Sequence, residues 1–378
     1  RVAEVVFLDG QIFPTRTLNC SPTSLSLIFD RHDTSVTSLS PTQHLPPALM
    51  PHSLHSHSGQ FCKHAVGSLE EVVLEAIRRG FAVYGLTEHV PRYRNEDLYP
   101  EEQGIEPADL MLQFTRFLDE AHRLKTKYAE QITLLVGLET EHITRDDVTG
   151  LEDLLRKHHP RVEYLVGSVH HVNAIPIDFD QATFRKAVDS VDAGSGDGHG
   201  AEDLSPGASA GARGKDEAFL IAYFDSQFEL LERFKPEVVG HFDLCRLYTP
   251  SLSFSEFPEV LDRARRNIMY AIEYGALFEV NAAALRKNWE TPYPGRDILE
   301  IIVASGGRLT LSDDSHGPHA VALNYGKIRG YLRSAGVSEL WFLERSVDMA
   351  PNCAGRHVRP ERISGDWAEH PFWMQFHS

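Results

Sequence analysis

The stretch PHSLHSHSGQFCKHA, residues 51–65, holds His52, His55, His57 and His64. His55 and His57 stand two apart, a spacing that sends both side chains to one face of an extended segment. Further along, apolar runs end one after another in imidazoles or carboxylates. These are Glu88 and His89, Glu139, His170 and His171, His241, and the group Asp313, Asp314, Ser315 and His316. Mixed imidazole and carboxylate donors suit zinc, iron or manganese better than calcium or magnesium. A lone His at a strand end is more often a hydrogen-bonded structural residue, and an acid there often caps the next helix. Six strand ends carrying such residues are hard to explain that way. So many buried polar groups are costly to hold together without a cation.

These residues need elements that bring them together. Strand-like runs fall at 81–89, 132–140, 162–171, 237–243, 276–282 and 308–316, after the opening segment. Helical runs fall at 68–79, 107–128, 217–234, 256–274, 296–305 and 319–334. Such alternation is that of a parallel β/α fold, and seven strands point to a barrel. In a barrel the C-terminal strand ends converge on one mouth, where chemistry is done.

Residues 1–49 are rich in Ser, Thr and Pro and read as a poorly structured extension. The Gly, Ser, Ala and Asp from 192 to about 216 bury too little apolar surface to offset ordering, so a disordered insertion is expected there. The folded part is expected over 50–345. A tail, 346–378, follows and is expected to dock through Trp367, Phe372 and Trp373.

A formal charge of -17 argues against binding nucleic acid by phosphate neutralisation. No apolar run approaches the roughly 20 residues of a membrane span, and no secretory signal is evident. Four cysteines without CxxC pairing fit a reducing compartment, so the cytoplasm is expected. The oligomeric state and the metal identities are not legible in the sequence.

The pieces HSH at 55–57, CKHA at 62–65, TEH at 87–89, GLE at 137–139, GSVH at 167–170, GHFDL at 240–244 and SDDSH at 312–316 follow one another in a familiar order. Together they resemble the polymerase-and-histidinol-phosphatase family, PHP, across nearly all of His55 to His316. The resemblance implies an α/β fold, a distorted (β/α)7 TIM-like barrel, holding three divalent metal ions drawn from zinc, iron and manganese. Carried over by position, the implied ligands are His55, His57, His64, His89, Glu139, His170, His241, Asp314 and His316. Glu139 would bridge two metals, with Glu139, His170 and Asp314 at the catalytic centre. Asp313, His52 and His171 are not implied as ligands.

Within the family, HSHSGQFCKHA, GSVHHV, GHFDLCRLY and EVNAAALRKNWETPYP resemble the histidinol-phosphate phosphatase branch rather than the exonuclease modules of bacterial DNA polymerases. That implies hydrolysis of L-histidinol phosphate to L-histidinol and phosphate in histidine biosynthesis, by attack of a hydroxide held between metals. The alternative is a phosphoesterase acting on nucleotides or other phosphate esters. Guanidinium groups suit a phosphate dianion. Arg246 and Arg286, five residues past His241 and Asn281, are the expected contacts, with Lys287 a weaker candidate. Glu88, Tyr93 and Trp289 are candidate partners for the substrate's cationic part, and Glu88 could equally hold a ligating histidine.

Overall fold

The computed structural model describes residues 51–191, 208–287, 289–346 and 354–376. The expected N-terminal extension, and residues 192–207 of the expected insertion, lie outside them. Seven strands form one parallel sheet: β1 (His52–Ser53), β2 (Val83–Leu86), β3 (Thr133–Glu139), β4 (Tyr164–Gly167), β5 (Val238–Val239), β6 (Leu277–Asn281) and β7 (Arg308–Ser312), hydrogen-bonded in that order. The two ends of the sheet then meet. The Leu54 amide donates to the Leu311 carbonyl at 3.2 Å, and Ser56–His57 pairs in parallel with Ser315–His316. The sheet is therefore nearly closed into the seven-stranded barrel that the alternation implied.

Strands covered on both faces must be apolar nearly throughout, and β3 is buried from Leu134 to Glu139. The outer helices are α1 (Leu69–Arg78), α2 (Pro107–Lys127), α3 (Arg145–His158), α4 (Gln181–Asp189), α5 (Ala208–Phe234), α6 (Pro258–Tyr274), α7 (Ala283–Arg286), α8 (Arg296–Ala304) and α9 (Tyr325–Ser334). Helix α1 shows why they form. The Ser68 hydroxyl accepts the Glu71 amide, and the Glu71 carboxylate accepts the Ser68 amide at 2.6 Å. Such a reciprocal cap stabilises a helix start by about 1 kcal/mol, while Leu69, Val72, Val73 and Ala76 pack on the barrel.

Three features differ from the sequence expectation. Helices α3 and α4 were not anticipated; α3 is dominated by charged residues and buries only one narrow face. Helix α5 begins at Ala208, inside the stretch expected to be disordered up to about 216. The runs at 162–171 and 237–243 leave the ladder early, at Gly167 and Val239, and their remaining residues turn into the mouth.

Tyr164 fills the barrel below that mouth. A Cβ at Gly85 would lie 1.9 Å from its hydroxyl, and one at Gly137 would lie 2.7 Å from its ring. Glycine at both positions is the condition for its fit, and its hydroxyl donates to the Leu54 carbonyl at 2.8 Å. At the opposite end, Glu163 and Glu237 accept the Val136 and Leu165 amides, each at 2.9 Å. Glu163 also pairs with Lys125 and with Arg345, while Glu237 pairs with Arg356 at 2.6 Å. Arg345 and Arg356 belong to an antiparallel hairpin of β8 (Trp341–Arg345) and β9 (Val358–Arg362) and its connection. Trp367, Phe372 and Trp373 beyond it are buried, with the Phe372 ring 5.4 Å from that of Phe81. Among the described residues no helix is long and apolar enough to cross a membrane.

Candidate metal centre

Glu139 closes β3 and is 1% exposed. Five imidazoles converge on its carboxylate from other strand ends. His55 and His57 Nε2 stand 3.2 Å from its two oxygens, His170 Nε2 3.2 Å, His241 Nε2 3.0 Å and His89 Nδ1 3.0 Å. The Nε2 atoms of His55 and His57 are 3.1 Å apart, and those of His170 and His241 are 3.3 Å apart. Two donors bound to one tetrahedral ion at about 2.0–2.1 Å are about 3.4 Å from each other. These separations suit donors arranged around shared cations.

The cluster continues outward. Asp314 Oδ1 lies 3.7 Å from His57 Nε2 and 3.6 Å from His316 Nδ1. His64 stands at the rim, its ring centre 5.0 Å from that of His316 and 5.4 Å from that of His89. All nine histidine and acidic positions singled out as ligands fall within groups whose donor atoms lie close enough to hold an ion. Cys62 and Glu279, neither of them among the ligands implied by the resemblance, join those groups. Asp314 takes a left-handed backbone, φ 46°, an uncommon state that Asp tolerates better than most residues. Arg286 steadies the turn, donating to the carbonyls of Asp313 and Asp314, each at 2.7 Å.

Three of the five inner imidazoles have a carboxylate behind them. His55 Nδ1 faces Glu279 at 3.1 Å, His170 Nδ1 faces Glu141 at 3.0 Å, and His57 Nδ1 faces Glu88 at 3.5 Å. This arrangement fixes ring orientation and leaves the other nitrogen for a ligand role. His171 is turned from the cluster, its Nδ1 3.3 Å from Glu141. Glu141 and Glu279 were missed in the sequence. Glu279 had a signal, a carboxylate in the middle of the apolar strand LFEVN, where an unpaired acid would be costly.

The charge states conflict without a cation. Burial pushes the Glu139 carboxyl up, but His55, His170 and His89 outweigh it and hold it well below the usual range. Against burial, Glu139, Asp314 and Glu279 hold His55 well above the ordinary imidazole value. Against burial, Glu139 and Glu88 likewise raise His57 to about 9, while burial and His57 hold His316, its ring centre 4.7 Å away, well below the ordinary value. Neighbouring rings are thus driven to opposite charge states, a conflict that a shared cation relieves. His89 Nε2 and Asp314 Oδ1 are shielded from solvent and have no hydrogen-bond partner among the described residues. The donor set and these orphaned atoms fit divalent ions of the zinc, iron and manganese type.

A cavity of about 390 Å³ opens on the cluster. Arg286 and Lys287 line it, as do Tyr99, Glu101, Asp178 and Phe179. Two expected substrate contacts are corrected by their surroundings. Arg246 is 3% exposed and does not line the cavity. Its guanidinium bonds Asp243, Asp297 and the Leu252 carbonyl, which occupies its donors in bracing a turn. Glu88 likewise lies off the cavity, accepting the Ser58 amide at 2.8 Å and hydroxyl at 2.7 Å behind His57. Trp289 donates to the Leu247 carbonyl, and Tyr93 packs over Gly150.

The PHP domain profile matches residues 53–283. The chain is 45% identical over 323 residues to the "Probable histidinol-phosphatase" of Schizosaccharomyces pombe, covering 85% of this chain and 97% of that one. It is 34% identical to the histidinol-phosphatase of Saccharomyces cerevisiae, covering 74% of this chain and 88% of the relative. In fold it is similar to the histidinol phosphate phosphatase of Lactococcus lactis, solved with zinc, L-histidinol and phosphate. That match has a TM-score of 0.52 at 17% identity and covers 77% of this chain and 95% of the other. The match extends over most of the barrel and the close relatives align along nearly their whole length, so the chain belongs to the PHP domain family.

Proposed function

We propose that this chain is a metal-dependent phosphoric monoester hydrolase that converts L-histidinol phosphate to L-histidinol and phosphate, a step of histidine biosynthesis. The observation that carries the chemistry is the Glu139 carboxylate ringed by five imidazole nitrogens at 3.0–3.2 Å. The substrate assignment is supported by the two fungal relatives, aligned over 97% and 88% of their lengths.

His55, His57, His64, His89, Glu139, His170, His241, Asp314 and His316 would hold three divalent ions drawn from zinc, iron and manganese. When bound, such ions neutralise phosphate oxygens and acidify a coordinated water. Glu139 would offer both of its oxygens, Oε1 facing His55, His170 and His241 and Oε2 facing His57 and His89. Glu279, Glu141 and Glu88 hold the far nitrogens of His55, His170 and His57. Arg286 keeps the Asp314 turn in place and has donors left over for a phosphate in the cavity. Lys287 adds a second positive charge on the same lining. The proposed location is the cytoplasm, which suits the free thiols of Cys62 and Cys245.

The test is phosphate release by the purified protein from L-histidinol phosphate, a nucleoside monophosphate and an aryl phosphate, with and without chelator. A strong, chelator-sensitive preference for L-histidinol phosphate is expected. Equal rates on all three, or cleavage of a phosphodiester, would keep the metal chemistry and overturn the substrate.

A further inference from the structure

The cavity over Glu139 is unevenly charged. Arg286, the last residue of α7, and Lys287 beside it reach it from beyond β6, whereas Glu101 and Asp178 reach it from the loops after β2 and β4. A pocket with cations at one part and carboxylates at another suits a ligand that carries both signs. Of the two acids, Glu101 is already engaged, 3.4 Å from His64 Nδ1. Asp178 is not: its Oδ1 is shielded from solvent and has no hydrogen-bond partner among the described residues. A desolvated carboxylate oxygen without a partner is costly, and the cost is recovered when a cationic group docks against it.

We infer that Asp178 determines specificity by accepting the ammonium group of the substrate, with the neighbouring Phe179 covering its imidazole. The inference rests on the histidinol-phosphate reading and deepens it. The segment is held ready for this role. The Ile177 amide donates to the His170 carbonyl at 2.9 Å, and Ile177 is fully buried. On the other side Asp180 caps α4, accepting the Thr183 amide at 2.7 Å. Between these fixed points only Asp178 and Phe179 remain, and both line the cavity. Phe179 is 41% exposed, a large apolar ring left uncovered at the rim, with the Tyr99 ring 6.1 Å away. The anchor at His170 links the two functions, since the strand end that carries an inner imidazole also sets the height of Asp178 above it.

Asp178→Asn keeps the shape and removes the charge. The experiment compares kcat/KM for L-histidinol phosphate and 4-nitrophenyl phosphate in the wild type and the variant, and measures calorimetrically the binding of L-histidinol and of its deaminated analogue. The selectivity ratio is expected to fall about tenfold to a hundredfold in the variant, mainly through KM for L-histidinol phosphate. The affinity advantage of L-histidinol over its deaminated analogue is expected to vanish with it. A selective wild type whose variant keeps both the ratio and the advantage would overturn the role of Asp178 and leave the substrate reading standing. A wild type without any preference for L-histidinol phosphate would overturn both.

Discussion

Arg246 and Arg286 look interchangeable in the sequence, each five residues past a strand end. Their surroundings separate them, because Asp243 and Asp297 lie within reach of one and two backbone carbonyls beside the cavity within reach of the other. Residues acting through unusual chemistry were legible, since a histidine at one strand end after another has few bland explanations. Residues acting through another residue were not, because Glu141 and Glu279 acquire meaning only from the rings that they face. Glu279 is the sharpest case, accepting the His241 amide at 2.6 Å and Asn281 at 2.7 Å while facing His55. Glu279→Gln should weaken the binding of divalent metal about tenfold to a hundredfold. Competition with a fluorescent chelator reads this directly, and an unchanged affinity would mean that the His55 ring is held by packing alone.

At the scale of elements, the strands were legible where they begin and not where they end. Apolar residues mark the ladder, but the residues that peel away from it into the mouth are equally buried and continue the same pattern. Helix α3 was illegible for the converse reason, its apolar face being narrow. The seam between β1 and β7 carries a titration of its own. His52 Nε2 accepts the Leu311 amide at 3.0 Å and lies 2.9 Å from the Thr310 hydroxyl. A proton on that nitrogen would face the amide hydrogen, and burial drops the pKa of His52 from 6.5 to about 3. The unfolded chain then binds a proton that the folded one refuses, so stability is full above about pH 6.5 and falls as pH drops toward about 3, by at most ~1.4 kcal/mol per unit. His52→Gln offers an acceptor that does not titrate. In chelator, its denaturation midpoint should fall less steeply between pH 6 and 4 than that of the wild type, on a scale set by that slope. Parallel curves would remove His52 from the acid response.

For the whole molecule, the parallel barrel was legible because alternation and strand count pointed one way, and the shared mouth followed from the topology. The hairpin that braces Glu163 and Glu237 was not, since its charges read as ordinary surface. The mouth gathers Glu139, Asp314, Glu141, Glu279 and Glu88 around rings of conflicting charge, so cations should bind the folded state alone. Stripping them with chelator should lower the thermal midpoint, and restoring zinc at a hundredfold excess over Kd should return about 3 kcal/mol. Calorimetry in both states checks this, and coincident transitions would show the fold to be indifferent to its metals.

The seam also sets a timetable. His52 meets Leu311 across 259 positions of chain, and Ser56 and His57 wait for Ser315 and His316. During synthesis the first histidines leave the ribosome long before the strand that completes their surroundings. Until then the nascent chain displays exposed imidazoles and an open sheet edge, without the strand ends that complete a metal site. Metal is therefore expected to load only once the barrel has shut, late in the life of the new chain.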